Sequence, residues 1–299
     1  MTQDKNIIYV NGDSFTEGSD MADHMYPFFK RYYSLNEITS EDIDIRLSNQ
    51  RASVLNKSKF HRTSDDRQLI DKINRFQTDN RWSTVLSKLL NRPVYNISSH
   101  GGSSMYAIAY RTIADLYRLQ QEGFTITDTV IQVTGAHRYS FFAETNDEEE
   151  PQRDSNIRYY HIRTGNPLSP NRINTELLQA ISLEESVEMA EYRWLHDVCM
   201  LKNAIENLTK SRVIFVDSVF YLKQFNGLRS FDFSNSPWLN KNPTDYVLNF
   251  KKILDNEMKL TMLNCIGNDE PNTITDGMHF TAPVHDKFAQ QIARTYFNE

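Results

Sequence analysis

The stretch Asn11-Gly12-Asp13-Ser14-Phe15-Thr16-Glu17-Gly18 follows directly on the apolar run Ile7-Ile8-Tyr9-Val10. A serine hydroxyl is thereby placed at the carboxyl end of a predicted buried strand, where open α/β sheets carry their reactive groups. Near the other end of the chain stands Thr275-Asp276-Gly277-Met278-His279-Phe280, with a carboxylate and an imidazole three positions apart. An alcohol, a base, and a carboxylate that orients the base form the minimum set for acyl transfer through a covalent intermediate. Ser14, His279 and Asp276 are the candidate catalytic residues on these grounds.

The elements that must hold them can be read from apolar spacing. Short runs rich in β-branched residues predict strands over 7–10, 93–97, 129–134 and 212–216, with a short fifth candidate over 262–266. Their nearly continuous apolar character suits strands covered on both faces, as in a parallel sheet. Between them lie helical patterns. Trp82, Val85, Leu86 and Leu89 share one face, as do Ala109, Ile113 and Leu116. Val187, Ala190, Trp194, Val198, Leu201, Ile205 and Leu208 keep a three-four spacing over a long helix. A last helix carries Val284, Phe288, Ile292 and Tyr296 and opens with Thr281 and Pro283, both good starting residues. Alternation of strands and helices predicts an α/β/α three-layer fold.

At 299 residues, with 39% hydrophobic and 24% charged residues, the chain has the composition of a soluble globular protein. A formal charge of −6 with no basic cluster argues against nucleic acid as a partner. No apolar stretch reaches the length of a membrane helix, and the first strand follows Met1-Thr2-Gln3-Asp4-Lys5-Asn6 without a leader-like apolar segment. A cytoplasmic protein is expected. Cys199 and Cys265, the only cysteines, are read as reduced buried thiols. No repeat or low-complexity linker divides the sequence, so a single domain over 1–299 is expected, with insertions at about 28–80 and 143–183. The first insertion holds Phe28-Phe29-Lys30-Arg31-Tyr32-Tyr33 and the second opens with Asn146-Asp147-Glu148-Glu149-Glu150-Pro151. Each reads either as a solvated excursion or as a cap beside the site.

Gly12-Asp13-Ser14 after its strand, and Asp276-Gly277-Met278-His279 before its helix, resemble the first and last sequence blocks of the SGNH, or GDSL-type, hydrolase superfamily. The resemblance implies a flavodoxin-like parallel sheet in three layers, a serine nucleophile at Ser14, a base at His279 and an orienting carboxylate at Asp276. It also implies that no cofactor or metal is needed. Asn96-Ile97-Ser98-Ser99-His100-Gly101-Gly102 is similar to the second block, whose glycine N–H helps bind the oxyanion; Gly101 fits that place, with Gly102 next to it. The third block departs from the family pattern Gly-x-Asn-Asp. Here Thr134-Gly135-Ala136-His137-Arg138 puts a histidine where the family has its asparagine donor. A neutral imidazole can still donate one N–H.

The expected oxyanion donors are Ser14, Gly101 and His137, and the expected substrate contacts are Asp13, Gly102, Arg138 and Tyr139. Tyr139, Phe141 and Phe142 supply aromatic surface for a pocket. The implied reaction is hydrolysis of a short acyl, acetyl-type ester, with carbohydrate as the implied carrier of the acyl group. The alternative is an SGNH-fold binding or structural protein of weak or absent catalysis, motivated by the altered third block and the long insertions. Asp20, Asp23 and His24 are read as an exposed helix rather than a metal site.

Overall fold

The computed structural model describes residues 5–13, 16, 64–97, 104–135, 138–144, 157–163, 166–167, 187–217, 260–265 and 280–298. Along the chain these form β1 (Asn6–Asn11), α1 (Ser64–Asn80), α2 (Trp82–Leu90), β2 (Val94–Asn96), α3 (Met105–Gln121), β3 (Thr125–Gln132), β4 (Arg138–Glu144), β5 (Ile157–Arg163) and β6 (Asn166–Pro167). There follow α4 (Val187–Thr209), β7 (Arg212–Val216), a 3₁₀ turn at Met262–Cys265, α5 (Ala282–Ile292) and a π-helical turn at Ala293–Phe297. None of the described helices is long and apolar enough to cross a membrane. The chain divides into two compact units, Met1–Asp13 with Tyr95–Thr261, and Ser14–Val94 with Met262–Glu299.

The first unit is built on a sheet of order β2-β1-β3-β7. β1 pairs with β3 in parallel, Val10 opposite Val130, and β3 pairs with β7 in parallel, Val130 opposite Ile214. Beyond β7, Asp217 makes one parallel bridge to Thr261. Counted along this sheet alone, the strands run second, first, third, fourth, so the order reverses between β1 and β3. Such a reversal is a topological switch point of a parallel sheet. Pleating sends Ile7, Tyr9, Ile131, Val133, Val213 and Phe215 to one face, where they join Met105, Ile108, Leu116 and Leu119 of α3 and Trp194, Val198, Leu201 and Ile205 of α4. Ile8, Val10, Val130, Ile214 and Val216 alternate with these and are equally buried, which explains the unbroken apolar runs in the sequence.

Three sequence expectations need correcting here. β3 begins at Thr125, four residues before the predicted run, because its polar residues find lateral partners. Asp128 takes both the Nε (2.9 Å) and a terminal nitrogen (2.6 Å) of Arg212, and Thr129 and Ser211 share a hydroxyl hydrogen bond at 2.9 Å. The predicted fifth strand is not formed over Met262–Cys265, which is a 3₁₀ turn; only the single bridge at Thr261 remains of it. A second, antiparallel sheet of order β4-β5-β6 overlaps the expected second insertion, with β5 and β6 inside it. It starts at Arg138, earlier than the predicted boundary, and pairs Phe141 with Tyr160 and Phe142 with Tyr159.

In the second unit, α5 packs against α1 and α2. Residues 64–80 of the expected first insertion form α1, which leads directly into α2 through Arg81. Arg81 stands at the N-cap of α2 without a side-chain cap bond. Instead the buried His285 of α5 accepts the Trp82 backbone N–H on Nδ1 at 3.1 Å, satisfying one of the donors that a helix start leaves open. The Trp82 ring meets Phe288 edge-on at 5.6 Å, one turn further along α5. α2 stops at Asn91, whose left-handed backbone (φ 47°) returns its N–H to Lys88 while the Arg92 N–H bonds the Ser87 carbonyl. α5 begins at Thr281 as expected, yet the threonine hydroxyl makes no cap bond; Pro283 in the first turn supplies the preorganised φ.

Candidate functional site

The carboxyl end of β1 is fixed by its own last residue. Asn11 is fully buried, and its Nδ2 donates to Thr112 Oγ1 at 2.9 Å and to the Ile108 carbonyl at 3.4 Å, both on α3. Its Oδ1 accepts the Gly12 N–H at 2.8 Å, which sets the turn by which the chain leaves the strand. Two residues on, Asp13 is also fully buried. Gln132 Nε2 donates to Asp13 Oδ1 and Thr134 Oγ1 donates to Asp13 Oδ2, each at 3.0 Å. Both donors come from the carboxyl end of β3 and its immediate continuation. The carboxylate thus clamps together the ends of the two strands that flank the switch point.

A third element holds the same segment from the helix side. Trp194 of α4, buried in the core, donates its indole N–H to the Thr134 carbonyl at 2.6 Å. Val133 continues the sheet past the formal end of β3 by donating its N–H to the Val216 carbonyl at 2.8 Å. The end of β3 is therefore tied to β7, to α4 and to the turn after β1. Asp217 follows β7 directly; it is buried, and its backbone N–H donates to the Leu260 carbonyl at 3.0 Å.

Of the sequence-predicted site residues, Asp13 lies in this network as a buried strut, with none of its surface exposed. Arg138 and Tyr139 open β4, in register with Arg163 and Ile162. Ser14, Gly101, Gly102, His137, Asp276 and His279 lie outside the described residues. Gln132, Thr134 and Trp194 were not singled out from sequence. The available signal was polar residues at alternate positions of an otherwise apolar strand, since Gln132 and Thr134 share a face that apolar residues fill elsewhere. His285, without a partner visible in sequence, proves to bond the start of α2.

Among other groups that chemistry could use, Tyr9 has its phenol pushed well above the ordinary range, by burial first and then by the charge of Asp115, to which it donates at 3.3 Å. Cys199 and Cys265 are both free and buried. Burial raises the Cys265 thiol to about 11, so it is no nucleophile at neutral pH.

No protein-family model matches the chain, and no curated protein matches it. Among solved structures it is similar to a carbohydrate esterase family 2 enzyme with a carbohydrate binding domain, from Corynascus thermopiles (Myceliophthora fergusii). The identity is 10% and the TM-score 0.41, over 97% of this chain and 66% of that one.

Proposed function

We propose that this chain is a serine esterase of the SGNH type, built as a three-layer α/β/α domain and acting on short acyl esters carried by a carbohydrate or a small molecule. Ser14 attacks the ester carbonyl while His279 takes its proton, and Asp276 holds the imidazole in the tautomer that accepts it. The backbone N–H groups of Ser14 and Gly101, with His137 as a side-chain donor, receive the oxyanion. His279 then passes its proton to the leaving alcohol. Water repeats the sequence on the acyl-enzyme and returns the carboxylic acid. Gly102, Arg138 and Tyr139 contact the substrate, whereas Asp13 positions the residues beside it.

The observation that carries this reading is the clamp at the switch point. A buried carboxylate ties the carboxyl ends of β1 and β3 together at the residue immediately before Ser14. Open α/β sheets bind their ligands at such a reversal of strand order, and a nucleophile needs a rigid support. The test is hydrolysis of p-nitrophenyl acetate by the wild type and Ser14→Ala, matched for folding by circular dichroism, together with fluorophosphonate labelling. Turnover and labelling that both vanish in Ser14→Ala support the esterase. A wild type that neither turns over the ester nor takes the label supports the binding-protein alternative, for which the His137 substitution in the third block is the motivating feature.

A further inference from the structure

The hairpin that follows the clamped end of β3 carries an opposed pair of cations. In the antiparallel register of β4 and β5, Arg138 stands directly opposite Arg163. The next pair on the same face of this sheet is Ser140 with His161, and β6 extends the first row by placing Asn166 opposite Arg163. Opposed residues of an antiparallel pair have their Cβ atoms about 4.5–5.5 Å apart, and like charges so placed are destabilising. Glu144, the one acid among the described residues of the three strands, ends β4 about 20 Å from the pair at the rise of an extended strand. A doubly cationic row flanked by neutral hydrogen-bonding residues suits an anion better than a ladder of ion pairs. Its place in the fold suits a ligand. Arg138 follows Thr134 by four residues and so lies within about 14 Å of it. Thr134 is held twice, through its hydroxyl on Asp13 and its carbonyl on Trp194, and α3 packs against β4 as well as β3. All of these belong to the first compact unit. The pair thus stands on a short, anchored tether from the reversal of strand order, where parallel sheets bind their ligands.

We propose that Arg138 and Arg163 form a binding site for a phosphate monoester, with Ser140, His161 and Asn166 as the polar residues of the same face. A phosphate monoester carries about −1.5 to −2 charge at pH 7, which matches two guanidinium groups, whereas a carboxylate or a sulfate ester carries a single charge. The planar fork of arginine also fits phosphate oxygens two at a time. The ligand is therefore a phosphorylated sugar or similar small molecule. That this ligand is also the substrate rests on the esterase reading above; the site itself does not.

Isothermal titration calorimetry at fixed low ionic strength compares glucose 6-phosphate, glucose 6-sulfate and glucuronate, related sugars that differ in their charged group. The wild type should bind the phosphate with a Kd of about 1 mM or tighter, and at least about tenfold more tightly than either other sugar. Arg163→Gln should weaken that binding at least about tenfold, and Arg158→Gln less than about twofold. Arg158 is on the same strand but the opposite face, opposite Ala143, so its loss removes the same charge from the hairpin and leaves the row intact. In phosphate-free buffer Arg163→Gln should melt no lower than the wild type, because it relieves a like-charge pair. Inorganic phosphate should raise the melting temperature of the wild type and not of Arg163→Gln. A wild type that does not bind the phosphate, either other sugar bound as tightly, or equal losses in Arg158→Gln and Arg163→Gln overturns the proposal. So does an Arg163→Gln that melts well below the wild type, the mark of an arginine held by a carboxylate of the protein itself. Binding is read without turnover, so an absence of Ser14-dependent hydrolysis would fell the esterase reading and leave this site to its own result.

Discussion

Replacing Asp13 removes the buried strut that joins the turn after β1 to the end of β3. The carboxylate accepts two hydrogen bonds at 3.0 Å inside a site with no solvent exposure. Hydrogen bonds to a charged acceptor contribute about 1.5–3 kcal/mol each, so Asp13→Ala should destabilise the fold by about 3–5 kcal/mol once partial relaxation is allowed. That is a large share of the roughly 5–15 kcal/mol that holds a domain together. Asp13→Asn is the discriminating variant. Its oxygen still accepts from the Gln132 amide, and its NH₂ group donates to Thr134, whose hydroxyl can turn to accept. The geometry survives and only charge assistance is lost, for a cost of about 1 kcal/mol. Urea unfolding followed by circular dichroism measures both, with the slope checked to be unchanged so that midpoints translate into stability. A double-mutant cycle with Thr134→Val should return a coupling of about 1–2 kcal/mol, because the two side chains are in contact. Asp13→Ala within about 0.5 kcal/mol of wild type, or Asp13→Asn as costly as Asp13→Ala, would sink the reasoning; surface-like tolerance is the mark of a residue with no such network.

Other consequences are as direct. His285→Ala removes the acceptor of the Trp82 N–H and should cost about 1–3 kcal/mol in urea unfolding, whereas an unchanged midpoint would mean that water replaces the imidazole. Cys265, with its thiol raised to about 11, should react with iodoacetamide at pH 8 at least about a hundredfold more slowly in the native protein than in urea; equal rates by mass spectrometry would contradict the burial. Burial raises the carboxyl of Asp197 above its ordinary value, more than the neighbouring Arg193 and His196 charges lower it. A carboxylate raised on folding favours the fold only below its unfolded pKa, and this contribution is lost as pH rises through the folded value. Asp197→Asn should therefore raise the melting temperature at pH 7 and give no gain below about pH 4. A gain that persists unchanged in acid would exclude this cause.

The parts of this molecule that can be read from sequence are those whose cause is local. β1 and β7 are legible because burial on both faces leaves an unbroken apolar run, and α4 because its apolar positions keep helical spacing from Val187 to Leu208. Met262–Cys265 looks like β1 in composition and is not a strand, since a strand exists only where a neighbour offers its edge, and here the parallel pairing ends at Thr261. The opposite error occurs in β3. Asp128 and Thr129 make its first half look like a loop, and it becomes a strand because Arg212 and Ser211 meet those side chains across the ladder. The candidate site divides along the same line. Ser14, Asp276 and His279 are visible as short motifs, whose residue types advertise chemistry without any knowledge of neighbours. Gln132, Thr134 and Trp194 advertise nothing alone: each is defined by a partner far along the chain, Asp13 for the first two and the Thr134 carbonyl for the third. A chain that changed Gln132 to an apolar residue would look more strand-like in sequence while losing the bond from Gln132 Nε2 to the buried Asp13 carboxylate.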